Sequence, residues 1–515
     1  MSTITYLDTR GLDQSEPPFT HVVIEGIAPG GGLFVPRHLP TLGMDQITSL
    51  AQLPYSRRAA LIHSVVGVDI PEDRLNALTA LAFGSNFDHE AVAPVVEPSP
   101  GMHVLELWHG PTSAFKDMAL QCMPLLFSES IAIRRAAGEA LDDYLVLVAT
   151  SGDTGKAALE GFADRANTSI VVFYPADGVS DIQQKQMVTQ RGANLAVFGA
   201  RGNFDDCQNA VKAVFNDTAF NAELHDRHRL KLSSANSINW GRLVPQIAYY
   251  FSAYADMVAT GAAVAGHPID VCVPTGNFGN ILACFYARRM GVPVRRLLCA
   301  SNENNVLTDF IRTGVYDIST RPFVTTPSPS MDILISSNLE RLLYELCRDP
   351  ERVASWMHNL TTFKRFEIDP ATFAQVQEEF EGDFVTNDES LETIRRVFSE
   401  TGYLLDPHTS VAWETAVRHR RELPILIAST AHWAKFGIDV YKALNGIRYH
   451  DVLPPHAAGM SGLDLLDEVS RMTGGLSIPR NLSELRQLPA RFTHVVDATA
   501  AGARGALREW LSSRA

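Results

Sequence analysis

Residues 144–163 read YLVLVATSGDTGKAALEGFA. An apolar, β-branched run, Tyr144–Ala149, ends in a turn of hydroxyls and glycines, and a helix-like stretch follows at Gly155–Ala163. Strand, Gly-containing turn and helix make one arm of a βαβ unit. The pattern recurs. Ser169–Tyr174 (SIVVFY), Asn194–Phe198 (NLAVF), Ile269–Val273 (IDVCV), Val294–Cys299 (VRRLLC) and Pro424–Ala428 (PILIA) are further short runs of buried-strand character, and Gly279–Arg289 is helix-like. Repeated units of this kind predict an α/β fold whose parallel sheets are covered by helices on both faces.

Outward from this centre the character changes twice. Residues 1–95 are mixed and include the turn-rich Gly26–Pro36 segment. Residues from about 335 to 400 are charged and helix-like, with no strand signal, and read as a helical insertion; the preceding TTPSPS, Thr325–Ser330, reads as a loop. The expected division is an N-terminal domain (1–95), a smaller α/β domain (96–230), a larger α/β domain (231–455) containing the insertion, and a C-terminal extension (456–515) without legible chemistry.

Composition narrows the function classes. Of 515 residues, 46% are hydrophobic and 20% charged, ordinary for a globular chain with a sizeable core. A formal net charge of -14 argues against nucleic acid or an acidic membrane as partner, yet leaves room for a small phosphate in a pocket of N–H groups. The six cysteines form no C-x-x-C pair, and no H-E-x-x-H pattern occurs, so neither a disulfide framework nor a metal site is expected. Met1–Arg10 shows no basic segment followed by an apolar one, and no apolar run approaches the ~18 residues of a membrane span. Cytoplasm is the simplest location.

Five segments carry residues suited to chemistry. The stretch 108–117, WHGPTSAFKD, uses a Gly-Pro turn to deliver one lysine, Lys116, to the head of an apolar helix-like run. Most lysines are solvated, but one in apolar surroundings loses its proton more readily and can attack an aldehyde. The turn Thr150–Gly155 places hydroxyls and free N–H groups at a helix N-terminus, which attracts an anion or merely caps the helix. It is not a nucleotide loop of the G-x-x-x-x-G-K-[ST] kind, because Thr150 stands where Gly is needed and Ala157 where Ser or Thr would hold Mg²⁺. In PTGNFGN, Pro274–Asn280, two glycines let N–H groups converge, either on an anion or in a tight turn. The spacing G-x-x-G is not that of a dinucleotide fingerprint. Two hydroxyls, Ser429 and Thr430, end the strand before AHWAKF, and SINWGR offers Arg242 as a phosphate clamp. Two anion cradles, a semi-buried lysine and a terminal hydroxyl, all at strand ends, suit a phosphorylated aldehyde and an anionic substrate.

The segments HGPTSAFKD, TSGDTGKAA, SINWGR, PTGNFGN and STAHWAKF, in this order, resemble the signature stretches of threonine synthases, a family of β-family, or fold type II, pyridoxal-phosphate enzymes. The likeness begins at Thr9-Arg10-Gly11 and Gly31–Pro36 and runs at least to Phe436. Trp433 departs from the proline common in that family, and Asp8 from a common serine. The resemblance implies that Lys116 carries pyridoxal 5'-phosphate as a Schiff base and shuttles protons. It implies that Gly276, Asn277, Phe278, Gly279 and Asn280 hold the cofactor phosphate, and that Thr430 faces the pyridine nitrogen. Ser151, Asp153 and Thr154 would line the substrate carboxylate, with Asn239 and Arg242 at its phosphate. The implied reaction converts O-phospho-L-homoserine and water to L-threonine and phosphate, in a monomer or a homodimer. The alternatives are a related phospho-lyase or dehydratase of hydroxy or phospho amino acids, and a catalytically silent anion-binding protein on the same fold.

Overall fold

In the computed structural model, which describes residues 4–514, the strand–turn–helix segments assemble into two sheets. The larger has six strands in the order Phe380–Phe384, Val294–Ser301, Ile269–Pro274, Ile425–Ser429, Met102–Glu106 and Val95–Ser99. All its pairings are parallel except the last. The smaller has five parallel strands in the order Val495–Asp497, Leu195–Arg201, Thr168–Pro175, Asp143–Ala149 and Leu230–Ser233. The helices Asp153–Phe162 and Gly279–Arg289 leave the C-terminal ends of their strands, where open α/β sheets place ligands.

The helix Trp240–Thr260 is apolar around most of its circumference and is accordingly buried, continuously from Trp240 to Ala255. It packs on the Gly279–Arg289 helix and on the N-terminal helix Tyr55–Val65. Trp240 lies in the same core cluster as Tyr6 and Tyr286, and its indole N–H donates to Tyr6 Oη at 3.1 Å. Each such fully buried large apolar side chain stabilises the fold by roughly 1.5–3 kcal/mol relative to exposure. The segment around Tyr6 is thereby part of the main core. Their own hairpin pairs Tyr6–Asp8 with Phe34–Pro36.

Three expectations need correction. The strands Val95–Ser99 and Met102–Glu106, which lead to Lys116, belong to the larger sheet, so residues 96–230 do not form one smaller unit. Residues 335–400 are not wholly helical: Arg365–Glu367 pairs with Val315–Asp317, and Phe380–Phe384 is the edge strand of the larger sheet. The residues beyond 456 supply an edge strand, Val495–Asp497, to the smaller sheet, and the helix Ala500–Ser512 packs against the helix Phe204–Phe215. Among the described residues all six cysteines are free thiols, five of them buried, and no helix is long and apolar enough to cross a membrane.

Candidate functional site

Lys116 reaches the site because two adjacent parallel strands end together. Past Glu106 and Ser429 the chains stay in contact: Leu107 N donates to Ser429 O at 3.0 Å, Phe115 N to Thr430 O at 2.7 Å, and His432 N to Ser113 O at 3.1 Å. Between them the 110–117 turn closes on Asp117, whose carboxylate accepts from Thr112 N and Thr112 Oγ1, both at 2.8 Å. Ser113 takes the left-handed backbone conformation, φ 58°. Lys116 then opens the short helix Lys116–Leu120 and is buried. Burial, with Lys435 and Arg242 nearby, pushes its ammonium pKa down to about 8, against the pull of Asp153. At pH 7 roughly a tenth of the amine is therefore neutral and nucleophilic, far more than for a solvated lysine.

Asp153 sits opposite. Thr150 Oγ1 accepts from Gly152 N at 3.0 Å and Gly155 N at 2.8 Å, folding the turn so that Asp153 starts the next helix. Gly152 is left-handed, φ 134°, and a Cβ there would lie 2.5 Å from the Gln183 side chain. The Asp153 carboxylate is buried, accepting from Lys435 Nζ at 2.8 Å, Gln183 Nε2 at 3.0 Å and Ser330 Oγ at 3.2 Å, with Lys116 Nζ at 3.9 Å. Burial alone would raise its pKa, but Lys435 and Lys116 hold it well below the usual carboxylate range. Lys435 is fully buried and also donates to Thr112 O at 2.9 Å. Deleting one partner of such a pair strands a charge, at about 3–5 kcal/mol. Ser151 and Thr154 are half-buried on the same turn.

The 274–280 turn is built differently. Its backbone carbonyls are tied to 336–338: Ser336 Oγ donates to Gly276 O at 2.8 Å, and Asn338 N and Nδ2 to Asn277 O at 3.1 and 3.0 Å. Phe278 is left-handed, φ 63°, with its ring buried near Phe380. That conformation strains a non-glycine residue and is affordable only where packing fixes it. The two glycines differ. A Cβ on Gly276 would lie 2.9 Å from Ser330 O, whereas one on Gly279 would meet no atom nearer than 3.6 Å, the Asn338 amide nitrogen, followed by that of Gln246 at 3.8 Å. Packing accounts for glycine at 276 and not at 279. Asn280 is buried; its Oδ1 accepts from Tyr249 Oη at 2.5 Å and Tyr250 Oη at 2.6 Å, while its Nδ2 has no partner.

Thr430 is buried, and among the described residues its hydroxyl makes no hydrogen bond. Arg242 is also buried. Its Nη1 donates to Ala235 O at 2.5 Å, its Nε has no partner, and burial lowers its pKa to about 10. Asn239 is placed otherwise: Oδ1 accepts from Gly241 N at 2.8 Å and Nδ2 donates to Val23 O at 2.9 Å, so its amide caps a helix and ties it to the N-terminal region. Trp433 is buried at the start of a short turn that ends at Lys435.

Sequence reading missed four contributors. Ser330 lies in the stretch read only as a loop, and Gln183 in the unremarked, mostly polar helix Asp181–Val188. Lys435, a lysine inside an apolar run like Lys116, carried the same signal. Asn481, in the C-terminal extension, donates from Nδ2 to Pro111 O at 2.7 Å and to Ser113 Oγ at 3.0 Å, closing the lysine turn from outside.

A family model described as the threonine synthase N terminus matches residues 5–83, and one described as pyridoxal-phosphate dependent enzyme matches residues 101–425. The chain is 43% identical over 436 residues to threonine synthase-like 1 of Homo sapiens, covering 83% of this chain and 58% of that protein's length. It is 37% identical over 485 residues to the threonine synthase of Pseudomonas aeruginosa, covering 93% of this chain and 97% of that one. The crystal structure of PLP-bound threonine synthase from Brucella melitensis superposes with a TM-score of 0.83 at 34% identity, covering 98% of this chain and 99% of that chain.

Proposed function

The chain belongs to the threonine synthase family of pyridoxal-phosphate-dependent enzymes, and from that membership we propose that it converts O-phospho-L-homoserine and water to L-threonine and phosphate. The observation that carries the reading is the meeting at Ser330 of the lysine turn, the Asp153 turn and the glycine turn. Ser330 Oγ is 3.0 Å from Lys116 Nζ and 3.2 Å from Asp153 Oδ2, and its carbonyl abuts Gly276.

The residues fit pyridoxal phosphate. Gly279 keeps clear a space that a Cβ would fill, at a helix N-terminus where N–H groups favour an anion. Asn280 Nδ2 is a buried donor without a protein partner. Gly276, Asn277 and Phe278 shape the approach to that cradle. Lys116 would hold the cofactor's aldehyde, and the Thr430 hydroxyl would bond its ring nitrogen without placing a formal charge there. When bound, the cofactor supplies the electron sink that lets protons leave the carbon atoms beside the amino group.

The chain's own residues do the rest. Lys116, released as an amine whose neutral form is within reach near neutral pH, takes protons from the α and β carbons and returns them. Its burial keeps the amine from being fully protonated. Ser151 and Thr154 orient the substrate carboxylate, and Asp153 acts behind them as the counter-charge shared by Lys116 and Lys435. Arg242, with Nε free, is the clamp for the substrate phosphate, and Asn239 positions it by capping the same helix. Burial of these groups limits competing water except at the step that adds it.

Incubation of the holoenzyme with phosphohomoserine, following threonine and phosphate together, tests the reading. Equal amounts of the two are expected. Phosphate accompanied by a keto acid in place of threonine would instead identify a phospho-lyase.

A further inference from the structure

Ser330 belongs to no motif, yet its hydroxyl bridges Lys116 and Asp153. Its loop is anchored from behind by Asp332, whose Oδ1 accepts from Asn302 Nδ2 at 2.8 Å and Thr326 Oγ1 at 2.6 Å, and whose Oδ2 accepts from Thr326 N at 3.0 Å. Ser330 N donates to His408 Nε2 at 3.2 Å. That bond leaves the imidazole proton on Nδ1, 2.9 Å from Asp406 Oδ1. The backbone position is thus fixed from two sides.

The direction of the hydrogen bonds follows. Asp153, ionised, only accepts, so the single Ser330 proton is committed to Asp153 Oδ2. Toward Lys116 the hydroxyl can then only accept. We infer that Ser330 is a positioning residue, a wedge that keeps Lys116 and Asp153 from closing into a direct ion pair and turns the amine's lone pair away from the carboxylate. The inference rests on the proposed function for its meaning in the reaction. The other charged groups facing Lys116 are Lys435, Arg242 and Asp117, and the first two disfavour its ammonium form. Asp153 is the one strong pull toward protonation, and it stands 3.9 Å away with the serine between. Closing that gap to ordinary ion-pair distance, at the effective dielectric of a protein site, is worth about one pKa unit, roughly tenfold in neutral amine.

The test uses the cofactor-free protein and needs no turnover. Acetic anhydride labelling of Lys116 is followed by mass spectrometry from pH 6 to 10 in the wild type, Ser330→Ala and Ser330→Thr. The wild-type midpoint is expected at about 8. In Ser330→Ala it moves up, with labelling at pH 7 and the rate of pyridoxal-phosphate capture both falling ~tenfold, while Ser330→Thr stays near wild type. A midpoint in Ser330→Ala that is unmoved or lowered overturns the wedge, as does an equal shift in Ser330→Thr. Failure of the functional reading shows differently: borohydride would fix the cofactor to a lysine other than 116, and the wedge would lose its role in the reaction.

Discussion

Replacing Gly279 by alanine separates cofactor binding from folding in one experiment. A Cβ there meets its nearest neighbour, Asn338 Nδ2, at 3.6 Å, an ordinary contact that displaces nothing. Because residue 279 opens a helix, alanine should favour the cofactor-free fold by about 0.5–1 kcal/mol. A phosphate seated on the backbone loses its place. Forfeiting one or two hydrogen bonds to a charged group, about 1.5–3 kcal/mol each, weakens binding by about 3 kcal/mol, or ~100-fold in Kd. Gly276→Ala provides the contrast. Its Cβ would press on Ser330 O at 2.9 Å and Met331 Cα at 3.1 Å, both backbone atoms, so overpacking should cost the cofactor-free fold about 1–3 kcal/mol. Calorimetry of the cofactor-free variants and absorbance titration with pyridoxal phosphate supply the two readouts. If Gly279→Ala melts as early as Gly276→Ala, or binds the cofactor within about twofold of wild type, glycine serves turn geometry at 279 and the cradle is misassigned.

Four further outcomes are expected. Lys116→Ala should abolish the borohydride-sensitive chromophore and turnover while leaving melting near wild type; cofactor captured on Lys156 or Lys435 would refute the assignment. With the Lys116 pKa at about 8, the amine is mostly protonated below that pH, so the rate of cofactor capture should rise about tenfold per unit on the acid side and level off above 8; a rate flat between pH 6 and 8 would contradict the buried amine. Thr430→Asp should retain cofactor but raise keto acid relative to threonine, because a carboxylate favours a charged ring nitrogen, and an unchanged product ratio would sink the electronic role. Asn481→Ala removes hydrogen bonds to Pro111 and Ser113, about 1–3 kcal/mol in all, and should speed amide hydrogen exchange across 110–117 while leaving the smaller sheet protected.

The parallel strands are legible because burial on both faces leaves continuous apolar runs, as in Tyr144–Ala149 and Ile269–Pro274. Phe380–Phe384 escaped because it is an edge strand. It carries Glu381 and Asp383, which pair with Arg296 and Arg312, and charge on an edge protects it from pairing with other chains. The 150–155 and 274–280 turns announce themselves through local chemistry, a strand followed by glycine and hydroxyls. Asp153 could be named as a helix-start carboxylate, but its two lysine neighbours exist only after the sheets pack. Ser330 has no local signal, since its partner Lys116 lies 214 positions away. Asn239 shows the opposite error: a residue beside a signature arginine, whose amide is engaged by the backbone.

The Asn481 clamp has a kinetic side. The turn presenting Lys116 is fastened by a side chain 368–370 positions further along the chain, and the sheet beneath the Asp153 turn gains its last strand only at Val495–Asp497. Contacts so distant in sequence carry a large loop-closure cost and form late. A collapsed chain can therefore hold most of both sheets before the lysine is aimed. Refolding followed by cofactor capture should lag refolding followed by backbone signals.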